Sequence, residues 1–252
     1  MSAEIAVRNL TVSYQSIDGR ELNALGPISF TIQPGEFVSF VGPSGSGKST
    51  LIRAVAGLIK PAAGGVWLDD TPITAPSPRV ALMFQEANLL PWRTVTDNIA
   101  LPLELAGIAK KERTAAALSL LPRLGLDCPT SYPAELSGGM AQRVALGRVL
   151  IQKPDALLLD EPFGALDALT RERLSQDLIG MWAHDRQTVM MVTHDIHEAV
   201  MLSDRVIVLS HRPGQVIADI RVSIPRPRAQ EDAYSTAFGD VALLVRSAIE
   251  RA

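Results

Sequence analysis

The sequence predicts an α/β fold: a buried parallel sheet, an N-terminal antiparallel β subdomain and an inserted α-helical subdomain. Three observations predict it. The runs FVSFV (37–41), ALLLD (156–160) and TVMMVT (188–193) are apolar without polar alternation, as strands covered on both faces are. The glycine-rich stretch GPSGSGKS (42–49) joins the first run to an amphipathic segment, making a strand–loop–helix unit. From roughly 95 to 153 the apolar spacing becomes helical.

Along the chain, the first 35 residues alternate (Ile5, Val7, then Ile28, Phe30, Ile32), which predicts antiparallel strands. KSTLIRAVAGLI then places Leu51, Val55 and Leu58 on one helical face. TDNIALPLELAG, KKERTAAALSLLPRLG and SGGMAQRVALGRVLIQ read as the helices of the insertion. After 210, RPG and IPRPR predict extended chain, because each proline fixes its own φ and restricts its predecessor. GDVALLVRSAIERA puts Val241, Leu244, Val245, Ala248 and Ile249 on one face of a helix docked on its own domain. The expected organisation is one domain over 1–252: a β core from 1–94 and 154–225, a helical subdomain over 95–153, and a C-terminal extension over 226–252.

Composition narrows the function. The apolar fraction of 47% and charged fraction of 20% are those of a globular protein. Acidic residues outnumber basic ones, 27 to 24, which argues against a nonspecific grip on nucleic acid. The single cysteine, Cys128, leaves no internal disulfide and fits a reducing compartment. MSAEIAVRNLTVSY has no secretion-signal pattern, and ALLL or VIVL is far too short to span a bilayer, so a soluble chain is expected.

GPSGSGKS fits GxxxxGK[ST] in full, the loop of a P-loop NTPase core. Gly42, Gly45 and Gly47, with Pro43, Ser44 and Ser46 between them, let successive N–H groups turn inward around phosphates. Lys48 supplies a charge to the terminal phosphates, and Ser49, followed by Thr50, offers a hydroxyl to Mg²⁺. LLLDEP adds Asp160 as the carboxylate of the Mg²⁺ shell and Glu161 as a candidate to orient and deprotonate water. A second anion cradle follows from LSGGMAQR (136–143), where Ser137, Gly138 and Gly139 start a helix with bare N–H groups. His194 and His197 lie three apart with no Cys or third His near them in sequence, which does not make a metal site.

With GPSGSGKS, LSGGM, LLLDEP, Gln85 and His194 in this order, the sequence resembles the ATP-binding subunit of an ABC transporter from Val7 to about Pro227. The resemblance implies roles at matching positions. Gln85 approaches Mg²⁺ and the γ-phosphate, His194 contacts the γ-phosphate, Asp167 lies across a dimer interface, and Tyr14 stacks on adenine. It also gives the second cradle an occupant, the γ-phosphate of ATP bound to a second copy, in a head-to-tail two-fold dimer. Where the family's signature ends in Gln this chain has Met140, which cannot complete a capping box with Ser137.

The stretch EANLLPWRTV carries Leu89, Leu90, Pro91 and Trp92. The family implies a cleft here for a cytoplasmic helix of a separate membrane permease, with Trp92 at or near it; the competing reading makes these residues core of the helical subdomain. LLPWRTV, LPLELAG and RPGQVIADIRVSIPRPR resemble the nitrate/sulfonate/taurine branch of importers. The implied protein is peripheral on the cytoplasmic face of the inner or plasma membrane and works with an extracytoplasmic solute-binding protein. Two alternatives stay open: an importer subunit for another solute such as a pyrimidine precursor, and a soluble ABC ATPase without a transport role. A small-molecule kinase shares the phosphate loop but has no use for LSGG or His194.

Overall fold

The computed structural model describes residues 2–15, 19, 21–164 and 166–252, apart from the side chain of Asp185. The elements, in chain order, are β1 (Ile5–Gln15), β2 (Glu21–Ile32), β3 (Phe37–Val41), α1 (Lys48–Val55), β4 (Ala63–Leu68), β5 (Thr71–Pro72), β6 (Val80–Met83), α2 (Val95–Leu105), α3 (Lys110–Leu120), α4 (Gly138–Leu150), β7 (Ala156–Asp160), α5 (Ala168–Asp185), β8 (Thr188–Val192), α6 (Ile196–Leu202), β9 (Arg205–Leu209), β10 (Val216–Arg221) and α7 (Thr236–Ile249). They group into two compact units, Ser2–Ser77 with Gln187–Ala252, and Pro78–Arg186.

The first unit holds two sheets. One is antiparallel, in the order β2-β1-β4-β5, with Ile5 opposite Ile32 on one side and Leu68 on the other. In the other, β3 is the central strand between parallel β8 and β9, and β10 runs antiparallel along β9. Every residue of β3 and β8 is buried, as expected for runs without alternation. β10 alternates half-buried and exposed positions, as an edge strand with one wet face does. Arg205, at the start of β9, pairs with Glu36 at 3.0 Å and Asp219 at 2.6 Å, fastening that strand at both edges.

The C-terminal helix packs as predicted, with one difference. Phe238, Val241, Val245 and Ala248 join Val200, Val206 and Val208 in one core cluster. Leu244 was expected on that face but is exposed. It lies at the edge of the stripe, whose centre falls between Val241 and Val245 at 100° per residue. α1 likewise ends earlier than the apolar spacing suggested. It stops at Val55, and Gly57 turns the chain at φ +73°, leaving Leu58 exposed.

The second unit contains the parallel pair β6 and β7, with Val80 opposite Ala156, and helices α2 to α5. α2 begins where Thr94 accepts a hydrogen bond from the Asp97 N–H at 3.2 Å. α4 begins at Ser137, whose hydroxyl accepts from the Met140 N–H at 3.3 Å. The side chains of Val144, Leu146 and Val149 are buried along it. No helix among the described residues is long and apolar enough to cross a membrane.

Candidate functional site

In the first unit the phosphate loop runs from the end of β3 into α1. Gly45 and Gly47 adopt φ +79° and +90°, a region that side-chain-bearing residues rarely enter. Gly47 caps α1, and a Cβ there would lie 2.6 Å from Leu25 Cδ2 and 2.9 Å from the Ala24 carbonyl. A Cβ on Gly42 would meet the Leu209 carbonyl at 2.7 Å. The loop is thus pressed against β2 and β9, and only glycine fits at both points. The Ser46 hydroxyl is buried with no protein partner among the described residues.

Lys48 is buried and bends back over the loop, donating to the carbonyls of Gly42 at 2.8 Å and Pro43 at 3.0 Å. Pro43 and Ser49 are half-buried, and Ser44 is exposed at the rim. Tyr14, on β1, is 41% exposed, and its hydroxyl donates to Thr50 Oγ1 at 3.4 Å. The ring therefore stands beside the helix that begins with Lys48, with a face open to solvent.

His194 is exposed just beyond β8. The hydroxyl of Thr193 donates to the buried carboxylate of Glu198 and accepts from the Asp195 N–H at 3.1 Å, fixing the backbone on either side of the histidine. His197 turns away from this loop, its ring 5.1 Å from that of Phe238.

The second unit carries the carboxylates. Asp160 is the last residue of β7 and is buried. Glu161 follows at φ +44°, an uncommon conformation for a non-glycine residue. Its Oε2 accepts from Gln85 Nε2 at 3.3 Å. A Cβ on Gly164 would come within 3.2 Å of the same Oε2, so the glycine leaves that carboxylate room. Gln85 and Glu161, 76 residues apart in sequence, are brought into contact.

Ser137, Gly139 and Met140 of the signature line a cleft of about 530 Å³ together with Arg143, Asp167, Thr170 and Arg173. Ser137 is the N-cap of α4, Gly138 is its first residue, and a Cβ on Gly139 would lie 2.7 Å from Thr170 Cγ2. The small residues therefore let α4 approach α5 closely. Asp167 caps α5, and the Thr170 N–H that it accepts holds its carboxyl below the usual carboxylate range. Arg143 is engaged with Asp177 at 2.8 Å and with the Leu124 carbonyl at 3.0 Å, so the features that favour an anion in this cleft are the helix N-terminus and Arg173, set against the carboxyl of Asp167.

A second cleft in this unit, of about 470 Å³, is mostly apolar, lined by Leu82, Phe84, Leu101, Leu105, Arg148 and Gln152 among others. Trp92, outside its lining, is 71% exposed, which removes the reading of this residue as core of the helical subdomain. Sequence reasoning gave no role to Asn98, Gln142 and Arg148, whose side chains hydrogen-bond the backbone of the segment from Gln85 to Thr94. Arg148 had left a signal, since it interrupts the apolar positions Val144, Ala145 and Val149 of its helix; Gln142 left none, because burial is not written in one residue's identity.

Residues 25–164 match a family model described as ABC transporter. The chain is 47% identical to the bicarbonate transport ATP-binding protein of Synechococcus elongatus over 92% of its own length, although it spans only 36% of that relative. It is 43% identical to the taurine import ATP-binding protein of Rhizobium johnstonii, covering 90% of this chain and 87% of the relative. Among solved structures, an ATP-binding cassette dimer in a post-hydrolysis state with ADP and Pi is similar, with a TM-score of 0.77 at 33% identity, covering 88% of this chain and all of the other.

Proposed function

The chain belongs to the ABC transporter family, and we propose that it is the ATP-hydrolysing, energy-coupling subunit of an importer, closing on ATP with a second copy of itself. The observation that carries this reading is the second anion cleft. A chain with one complete phosphate loop has a separate capped helix N-terminus, with Arg173 beside it. Its occupant in this reading is the γ-phosphate of ATP held by the loop of the other copy. The dimeric state of the similar solved cassette supports that arrangement. Each charge-assisted hydrogen bond lost when phosphate leaves is worth roughly 1.5–3 kcal/mol, so a few per site reverse closure.

In this reading Gly42 to Thr50 hold the phosphates, Lys48 neutralises the terminal one, Tyr14 stacks on the base, and Asp167 lies at the dimer interface. Glu161 orients the attacking water and takes its proton, with Gln85 and His194 directed to the γ-phosphate. Ser49, Asp160 and Gln85 are hard oxygen donors that suit Mg²⁺, and the bond from Gln85 Nε2 to Glu161 leaves the amide oxygen as an acceptor. When bound, Mg²⁺ neutralises phosphate charge. In the same reading residues 95–153 form the signature subdomain, the apolar cleft and the exposed Trp92 meet a cytoplasmic helix of a permease, and the protein works on the cytoplasmic face of the membrane. An extracytoplasmic solute-binding protein completes the system.

The named relatives favour a small anion or zwitterion such as bicarbonate or taurine as solute, and the resemblance carried by LLPWRTV and LPLELAG adds nitrate and other sulfonates. The test is growth of the source organism carrying Lys48→Ala on taurine, longer alkanesulfonates, nitrate, limiting bicarbonate or a pyrimidine precursor as the single source, with sulfate and ammonium controls. A defect confined to one source names the solute. Normal growth on all, with no permease co-purifying, removes the import reading in favour of a soluble ATPase.

A further inference from the structure

Gln85 lies in a stretch between β6 and α2 that has no helix or strand of its own. Its geometry therefore depends on what holds it. The far half is held by Asn98, a buried side chain that accepts from the Leu90 N–H at 2.8 Å and donates to the carbonyls of Leu90, Arg93 and Thr94 at 3.0–3.2 Å. The near half, which contains Gln85 itself, is held by α4. Gln142 Nε2 donates to the Gln85 carbonyl at 2.8 Å, and Arg148 donates to the carbonyls of Ala87 and, at 2.9 Å, Asn88.

Both residues are unusual choices for stability alone. Gln142 is only 5% exposed, and its Oε1 has no partner among the described residues, so half of its amide is desolvated without return. Arg148 is half-buried and meets main-chain carbonyls but no carboxylate among the described residues. Its burial lowers the guanidinium pKa from its ordinary value. Packed apolar residues replace such groups at little or no cost in many proteins. What a planar, forked donor provides is direction: two bonds to successive carbonyls fix the path of the chain between them. α4 starts at the Ser137 cap, and its 13 residues form a rod of about 20 Å.

We propose that Gln142 and Arg148 are positioning residues for Gln85, tying its backbone to the helix that Ser137 begins so that Gln85 and the signature N-terminus keep one fixed spacing. This rests on the role given to Gln85 above. The same face of α4 floors the apolar cleft through Ala145, Arg148 and Val149, so the tie lies directly under that surface.

The experiment is steady-state ATPase kinetics of the purified full chain, titrating Mg²⁺ and ATP separately, for Gln142→Met and Arg148→Lys, alone and combined with Gln85→Ala. Each single variant is expected to lose about tenfold in kcat, the worth of one such hydrogen bond, and to need more Mg²⁺ for half-maximal rate. Combined with Gln85→Ala, neither adds to the loss that Gln85→Ala causes by itself. Losses that multiply in the double variants, or single variants that melt earlier with unchanged kcat and Mg²⁺ dependence, overturn the proposal while leaving the role of Gln85 intact. An unimpaired Gln85→Ala overturns both. Should Arg148→Lys fail to fold, Gln142→Met carries the same test.

Discussion

Deleting the Ser137 hydroxyl isolates the start of α4, the element on which the second cleft depends. The Met140 N–H donates to Ser137 Oγ at 3.3 Å, slightly long for such a bond, and position 140 is the third residue of the helix. Replacing a serine cap by alanine costs typically about 1 kcal/mol, because the freed N–H joins the other unsatisfied donors of the first turn. In a chain of this size that is a fall in Tm of roughly 2–4 °C. Met140→Gln should act in the opposite direction. Its amide oxygen can reach back to the Ser137 N–H and complete the capping box, a gain of about 0.5 kcal/mol, or roughly 1–2 °C. The assay is thermal unfolding by circular dichroism without nucleotide, on both single variants and the double. The double is expected to recover part of the loss from Ser137→Ala. A Ser137→Ala protein that melts with the wild type refutes the cap as the anchor of α4. An unchanged Met140→Gln shows that water already satisfies the Ser137 N–H.

Two further outcomes follow from the site. Glu161→Gln keeps the size of the side chain but removes the base, so it should bind ATP, hydrolyse it at least about 100-fold more slowly and accumulate as a dimer by light scattering; a monomer with full turnover removes Glu161 from that role. Trp92→Ala should abolish assembly with the permease while basal ATPase activity persists, because the ring is 71% exposed and supports no core; loss of both would contradict that separation.

The parts of this protein that were legible in the sequence are those whose physics is local. GPSGSGKS needs φ +79° and +90° at Gly45 and Gly47, and the glycines are visible as letters. FVSFV, ALLLD and TVMMV are buried along their whole length, and their lack of alternation said so. Ser137 caps α4 through a bond that spans three residues, as its place before two glycines announced; the caps at Thr94 and Asp167 use the same spacing and were not read. β4 and β6 were missed for a local reason too: AGGVWL carries two glycines at its start, and VALM is only four residues long, the shortest run that reads as a buried strand.

The tertiary structure alone decided contacts whose partners are far apart in the chain. Arg228 sits in IPRPR, which reads only as an extended stretch, yet it is buried and donates to the carbonyls of Val200, Met201, Ser203 and Ile224. Desolvation pushes its pKa down to about 10. Gln142 and Arg148 reach back 57 to 61 residues to hold the segment that carries Gln85, and Gln85 meets Glu161 across 76. Trp92, an apolar residue beside a helix, is exposed where composition allowed burial. Periodicity and turn chemistry operate within a few residues and so are written in the sequence. Which polar side chain is buried, and against which carbonyl, depends on the arrangement of whole elements and is fixed only when they pack.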